Sequence, residues 1–388
     1  MQKMLKLSLI TVLALIMVLL SGCGDDTPTT TPVVPEEMEE MEETGESGGD
    51  GVADIVGEIR DISSTELVAE MGVGWNLGNS FDVRSSDKTD WGNPLPTSDH
   101  IGDVKAMGFS TLRIPVTWSY HMNAQEPYSV DKDYLERLKE IVNAGLQNDM
   151  HVIINTHHDD WIIPTSSEAP NVNDRLERLW TQVANHFIAY GDKLIFEVMN
   201  EPRHIDTPEE WSGGTAEGRT TLNEYIKVCV DAIRATGRNN ATRHIMIPTY
   251  AASTTSAAFA DLVIPDDPNI IISNHSYFPW SFAGQDAGGT DEWGSDAEKT
   301  ALDNELDRIR NRWVAQEGRP VILGEWGAKN KNNLSTRVAY AEYYTRGAVE
   351  RGMVPIIWDD GGDFGLYDRN ATTWQFPEIA EAVVKAGM

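Results

Sequence analysis

Cysteine is nearly missing from this chain, with Cys23 and Cys229 the only two in 388 residues, so a disulfide framework is excluded. Positive charge is scarce as well. Lysine and arginine number 31 against 61 acidic residues, a formal net charge of -30, which argues against nucleic acid or an anionic membrane surface as a partner. A neutral substrate suits such a surface; sugars fit and phosphates do not. No internal repeat is visible. The apolar stretch from Leu7 to Leu20 is too short and wrongly flanked for an ordinary membrane span. Aromatic side chains, by contrast, are well supplied, with twelve tryptophans.

The front of the chain reads as an export signal. Lys3 and Lys6 precede the apolar stretch, and the small residues Ser21 and Gly22 follow it. Leu20-Ser21-Gly22-Cys23 resembles the bacterial lipobox, in which the cysteine is acylated and becomes the mature N-terminus. Residues 1–22 are therefore expected to be a lipoprotein signal peptide, with Cys23 lipidated and the membrane met only through that lipid. Acylation leaves Cys229 unpaired; within LNEYIKVCVDAIRA it reads as a small buried apolar residue. Gly24 stands where some lipoproteins carry an inner-membrane retention aspartate, which favours the outer membrane or cell surface. Residues 23–51, rich in Thr, Pro, Gly and glutamate and including EEMEEMEE, have almost nothing to bury and read as a flexible acidic linker. One catalytic domain, residues 52–388, is expected to follow, as a monomer.

Within that domain short apolar runs alternate with helical patterns. The strand candidates are MGVGWN, TLRIPV, HVIINT, KLIFEV, HIMIPT, NIIISN, PVILGE and VPIIW. Eight such runs separated by helices predict a single (β/α)8 barrel. Ser63 and Glu66 form a capping box, Tyr134, Leu135, Leu138, Ile141, Val142 and Leu146 repeat at helical spacing, and Pro377 suits a first helical turn. Most runs end in, or are closely followed by, a residue able to do chemistry or bind sugar: Asn76, Arg113, His157, Glu201, His275, Glu325 and Trp358. The C-terminal strand ends of a parallel barrel surround one mouth, so these residues are expected to converge.

Two glutamates at such ends are the equipment for breaking a glycosidic bond, since one must protonate the leaving oxygen while the other attacks or activates water. GWNLGNSFD, TLRIPVTW, VIINTHHDDW, FEVMNEP, NHSYFPW, ILGEWG and IIWDDGG, in this order, resemble the strand-end motifs of glycoside hydrolase family 5, most closely its subfamily 4 of endoglucanases and xyloglucanases. The resemblance covers the chain from about Ser63 onward. It implies that Glu201 is the general acid/base and Glu325 the nucleophile of a retaining mechanism. Arg113 is then placed to keep Glu325 ionised, while Glu201 is expected to be the carboxyl with the raised pKa. The resemblance also gives Tyr277 a hydrogen bond to the nucleophile, His275 a part in holding the catalytic groups, and Asn200 the substrate 2-hydroxyl. His275 and Tyr277 are two apart, so both side chains point the same way on a strand.

His157 and His158, followed by Asp159 and Asp160, invite a metal reading, but consecutive strand residues face opposite ways and the spacing is not that of a zinc protease. Bonds to sugar hydroxyls are expected instead: the resemblance makes His157 a core site residue and His158 a subsite contact. Asn76 is expected to bind substrate too. Trp358 is implied as a stacking platform, since flat aromatic faces suit the C–H faces of pyranose rings. The chain reads Trp358-Asp359-Asp360-Gly361 where that subfamily is expected to have asparagine third, so Asp360 occupies a subsite position with altered chemistry. Together these readings predict a cofactor-free, metal-free endo-β-1,4-glucanase. Xyloglucan, mixed-linkage glucan, mannan and xylan are alternative substrates, and a non-catalytic surface glycan-binding lipoprotein is the rival class.

Overall fold

A computed structural model describes residues 53–388. The expected signal peptide, Cys23, the linker and the first residue of the expected domain lie outside those residues. Eight parallel strands close a barrel in chain order: β1 (Gly74–Asn76), β2 (Thr111–Ile114), β3 (His151–Asn155), β4 (Leu194–Glu197), β5 (Ile245–Pro248), β6 (Ile270–His275), β7 (Val321–Trp326) and β8 (Met353–Ile357). All eight expected runs supply one strand each. Every residue of these strands is buried, as a parallel sheet covered on both faces requires, which is why the runs are nearly continuous in β-branched residues.

The helices follow from their own signals. Ser63 and Glu66 make the reciprocal capping box of helix Ser64–Glu70, and Asp131 caps helix Lys132–Gln147, whose buried face carries Tyr134, Leu135, Leu138, Ile141 and Val142. Pro377 opens helix Pro377–Ala386. The helix Ser64–Glu70 serves the barrel differently from the others, because it contributes Leu67 and Val68, with Met71 just beyond, to a cluster with Ile153, Ile195, Met246, Ile271, Ile322, Val354 and Ile356. It stoppers the N-terminal end of the barrel. Each of these side chains contributes roughly 1.5–3 kcal/mol by burial. Both ends of the domain lie at this same face: Asn143 Nδ2 donates to the Ala53 carbonyl at 2.8 Å, and Gly387 sits so close to Val73 that a Cβ there would come within 2.3 Å of it.

One irregularity matters for the other end. Asn274 pairs with Leu323 but His275 pairs with Glu325, and on the other side Leu323 pairs with Pro355 while Trp326 pairs with Ile357. β7 therefore carries one extra residue, a bulge, which re-aims the side chains that follow it. Gly324 lies there, and a Cβ on it would come 2.8 Å from His275 Nε2, so only glycine fits.

Candidate active site

The barrel brings the expected residues to one mouth. Asn76 and His275 end their strands, Arg113 and Glu325 lie one residue from the ends of β2 and β7, His157 lies two residues past β3, Asn200 and Glu201 three and four residues past β4, and Trp358 directly after β8. Tyr277 follows β6.

Arg113, fully buried, is the node. Its Nε donates to Glu197 Oε2 at 2.7 Å, Nη1 to Glu325 Oε1 at 2.8 Å and Asn76 Oδ1 at 2.9 Å, and Nη2 to Asn200 Oδ1 at 2.7 Å. Burial would lower its pKa, but the charges of Glu197 and Glu325 outweigh that and raise it. Glu197 was not foreseen. It is fully buried, and it also accepts from Asn155 Nδ2 at 3.0 Å and Ser273 Oγ at 2.7 Å. Its signal was present in LIFEV, because a carboxylate inside an apolar strand needs a buried cation, and TLRIPV offers one.

Glu201 and Glu325 both face Nδ1 of His275. His275 Nδ1 is 2.9 Å from Glu201 Oε1 and 3.8 Å from Glu325 Oε2, and one atom of each of the three lies within 4.8 Å of the others. Tyr277 donates its hydroxyl to Glu325 Oε2 at 3.0 Å. Burial raises the Glu325 carboxyl above its ordinary value, against the charges of His275 and Arg113 and with that of Glu201. Burial also acts to raise Glu201, but the hydrogen bond and charge of His275, helped by Arg203, hold it below. This order is the reverse of the expected one. The cause is His275, which lies nearer Glu201 than Glu325.

Part of the mouth is built from flat rings. His157 and Trp358 are parallel, with centroids 5.9 Å apart and 4° between planes, and Gly78 lets Trp358 lie close, since a Cβ there would come 2.8 Å from its ring. His158 lies edge-on to the partly exposed Trp91 at 5.7 Å. Burial pushes the His157 imidazole well below its ordinary pKa and His158 down to about 3, so both are neutral donors and acceptors at neutral pH. Asp82, His157 and His158 offer one ligand atom each within 4.8 Å of one another. Asp82 is already engaged, with each oxygen accepting a backbone N–H, from Ser80 at 2.7 Å and Asn79 at 3.0 Å.

Two expected sugar contacts are corrected or qualified. Asn76 is fully buried and has no surface to offer a sugar; its Nδ2 donates to the bulge carbonyl of Gly324 at 2.9 Å and to Ile356 and Ile357 carbonyls at 3.2 Å. It holds the bulge, not the substrate. Asp360 Oδ1 accepts from the Gly362 and Phe364 N–H groups at 2.7 and 3.0 Å, so it organises the loop after β8, a task one oxygen performs equally well on asparagine.

A sequence model described as Cellulase (glycosyl hydrolase family 5) matches residues 69–363. Endoglucanase B of Clostridium cellulovorans is 46% identical over 338 residues, spanning 84% of this chain and 76% of that protein. Among solved structures, ZgEngAGH5_4 in complex with a cellotriose is 51% identical with a TM-score of 0.83, over 84% of this chain and 100% of that one. A GH5-4 broad specificity endoglucanase from Ruminococcus champanellensis with bound cellotriose is 40% identical with a TM-score of 0.82, again over 84% and 100% of the two chains. These likenesses run across the barrel and its mouth alike, and the chain belongs to glycosyl hydrolase family 5, the cellulase family.

Proposed function

We propose that this chain is an endo-acting β-1,4-glucanase that cleaves internal linkages of a glucan with retention, using Glu325 as nucleophile and Glu201 as general acid/base. The observation that carries this is the pair of carboxylates at the mouth, with oxygens within 4.8 Å, the close spacing of double displacement, where the two carboxyl groups stand about 5–5.5 Å apart. The donors support this assignment of roles. Arg113 and Tyr277 both aim at Glu325, and such donors suit a group that must attack as an anion and later leave as one. Glu201 shares its hydrogen bond with His275. The His275 ring nitrogen can donate to the ionised carboxylate or accept from the protonated one, as a group that must both give and take a proton requires. Asn200, fixed by Arg113 at 2.7 Å, is assigned to the substrate 2-hydroxyl. The parallel His157–Trp358 surface is assigned to the ring before the cleavage point, with His158 beside it.

The glucan reading is supported by the cellotriose bound in similar structures. A panel of carboxymethyl cellulose, barley glucan, xyloglucan, xylan and mannan tests it; failure to release reducing ends from any of them would leave only a glycan-binding protein. Azide tests the roles. In Glu201→Ala it should rescue turnover of an aryl glycoside and give the β-azide, whereas in Glu325→Ala it should give the α-azide by direct displacement; reversed products would exchange the assignments. We also propose export as a monomeric lipoprotein acylated at Cys23 and held at the outer membrane or cell surface, from Lys3, Lys6 and Leu20-Ser21-Gly22-Cys23. Unchanged processing and membrane fractionation of Cys23→Ala would sink it.

A further inference from the structure

Two residues past Glu201 the chain sets a cation against it. Arg203 Nη1 donates to the Glu201 carbonyl oxygen at 3.0 Å and stands 3.5 Å from Glu201 Oε2. An arginine at an open mouth would ordinarily reach into water, yet this side chain is only 15% exposed. It is fixed from two further sides. Nε donates to Glu210 Oε1 at 2.9 Å, and the guanidinium carbon lies 4.1 Å from the ring centroid of Trp211, a contact in which the aromatic face attracts the cation. Trp211 is otherwise 57% exposed. Glu210 is held in turn by the Asp206 N–H, which donates to its second oxygen at 3.0 Å, and the His204 N–H donates to the Tyr250 hydroxyl at 2.8 Å. The loop after β4 thus closes on itself with the guanidinium inside, and Arg203 and Glu201 line the same recess.

We infer that Arg203 is a positioning residue for the Glu201 carboxylate, held in place by Glu210 and by the face of Trp211. The inference rests on Glu201 being the acid/base. In a two-step retaining reaction that one carboxyl must first give up a proton to the leaving oxygen and then take one from water. Too strong a hold on the proton slows the first step; too weak a hold slows the second. The groups that face it are His275 from β6, Glu325 from β7, His158 from the loop after β3, and Arg203 from its own loop. Arg203 opposes the pull of Glu325, since a cation favours the ionised carboxylate and a like charge disfavours it, and its bond to the Glu201 carbonyl fixes where the side chain starts.

The test is kcat/KM against pH for Arg203→Met, Arg203→Lys, Trp211→Ala and Trp211→Phe on soluble β-glucan, with thermal melts to confirm folding. The alkaline limb marks loss of the acid's proton. Removing the cation should move it upward by about half a pH unit to one unit in Arg203→Met, with Arg203→Lys falling between that variant and the wild type. Trp211→Ala should shift it the same way by less, and Trp211→Phe should match the wild type. A folded Arg203→Met whose limb stays put would overturn the inference, as would a Trp211→Ala that raises KM on long oligosaccharides without moving the limb, since Trp211 would then be a sugar platform. Full activity in Glu201→Gln would instead overturn the acid/base assignment beneath it.

Discussion

The two ends of the barrel are built from opposite materials. At the N-terminal end, Ile153, Ile195, Met246, Ile271 and Ile322 meet in an apolar cluster under a short helix. At the C-terminal end, Arg113, Glu197, Asn76 and Glu325 are buried as deeply, but each is held by hydrogen bonds to the others or to strand carbonyls. Both ends are packed, yet only the second is demanding in geometry. An apolar cluster tolerates exchange among similar volumes, whereas a buried ion network fails when one member is lost, because the survivors keep their desolvation cost without a partner. Both ends therefore hold the fold, while the chemistry sits only at the geometrically demanding one.

Arg113→Met should break this division most severely. It strands the buried Glu197 charge, at a cost of about 3–5 kcal/mol, and should lower turnover by roughly a thousandfold or more by removing the donor to Glu325. Adding Glu197→Gln should recover much of the melting temperature and none of the activity; recovery of both would show that Arg113 is only structural. At the other end Ile322→Ala should cost about 2–5 kcal/mol while kcat and KM at moderate temperature stay at wild-type values. A loss of activity in the folded protein would mean that the two ends are coupled.

Asn76→Ala is intermediate, since it leaves the Gly324 carbonyl and one Arg113 N–H without their partner. A loss of about 1–3 kcal/mol is expected, with a roughly tenfold to hundredfold fall in kcat as Glu325 drifts with the bulge, and little change in KM. A rise in KM alone would return Asn76 to the substrate. The smallest effect is one of pH at the apolar end. His244, bonded to Ser64 Oγ at 2.9 Å, is lowered by burial from 6.5 to about 4, and so is His151. Between those values the unfolded chain takes up protons that the folded one refuses, so the stability these groups contribute is complete above about pH 6.5 and is lost as pH falls toward 4. His244→Gln should flatten the decline of melting temperature across that window; an unaltered slope would count against it.

Much of this was legible because the strands are short β-branched runs bounded by helical periodicity, and because Arg113, Glu201 and Glu325 interrupt or end such runs. Glu197 carried the same mark four residues before Glu201, but its role depends on a guanidinium 84 residues earlier in the chain. Asn76 was misplaced for a different reason: whether a strand-end amide meets substrate or backbone depends on register, and the bulge at Gly324 belongs to a pairing between distant segments. A glycine inside VILGEW was the local hint. The hold of His275 on Glu201 depends on a 2.9 Å approach across the barrel mouth, which no spacing in the sequence contains.

Asn143 holding Ala53, and Gly387 against Val73, put both attachment points of the domain on its back. Ala53 and Gly387 both lie on the face opposite the cleft. For a substrate far longer than the protein this is a matter of access: a polymer strand can be laid across the mouth from either direction without crossing Ala53 or Gly387. Immobilising the domain on beads through Ala53 or Gly387 should accordingly preserve its rate on soluble polymer, whereas coupling at the exposed Trp280, whose ring lies 6.3 Å from that of Tyr277, should not.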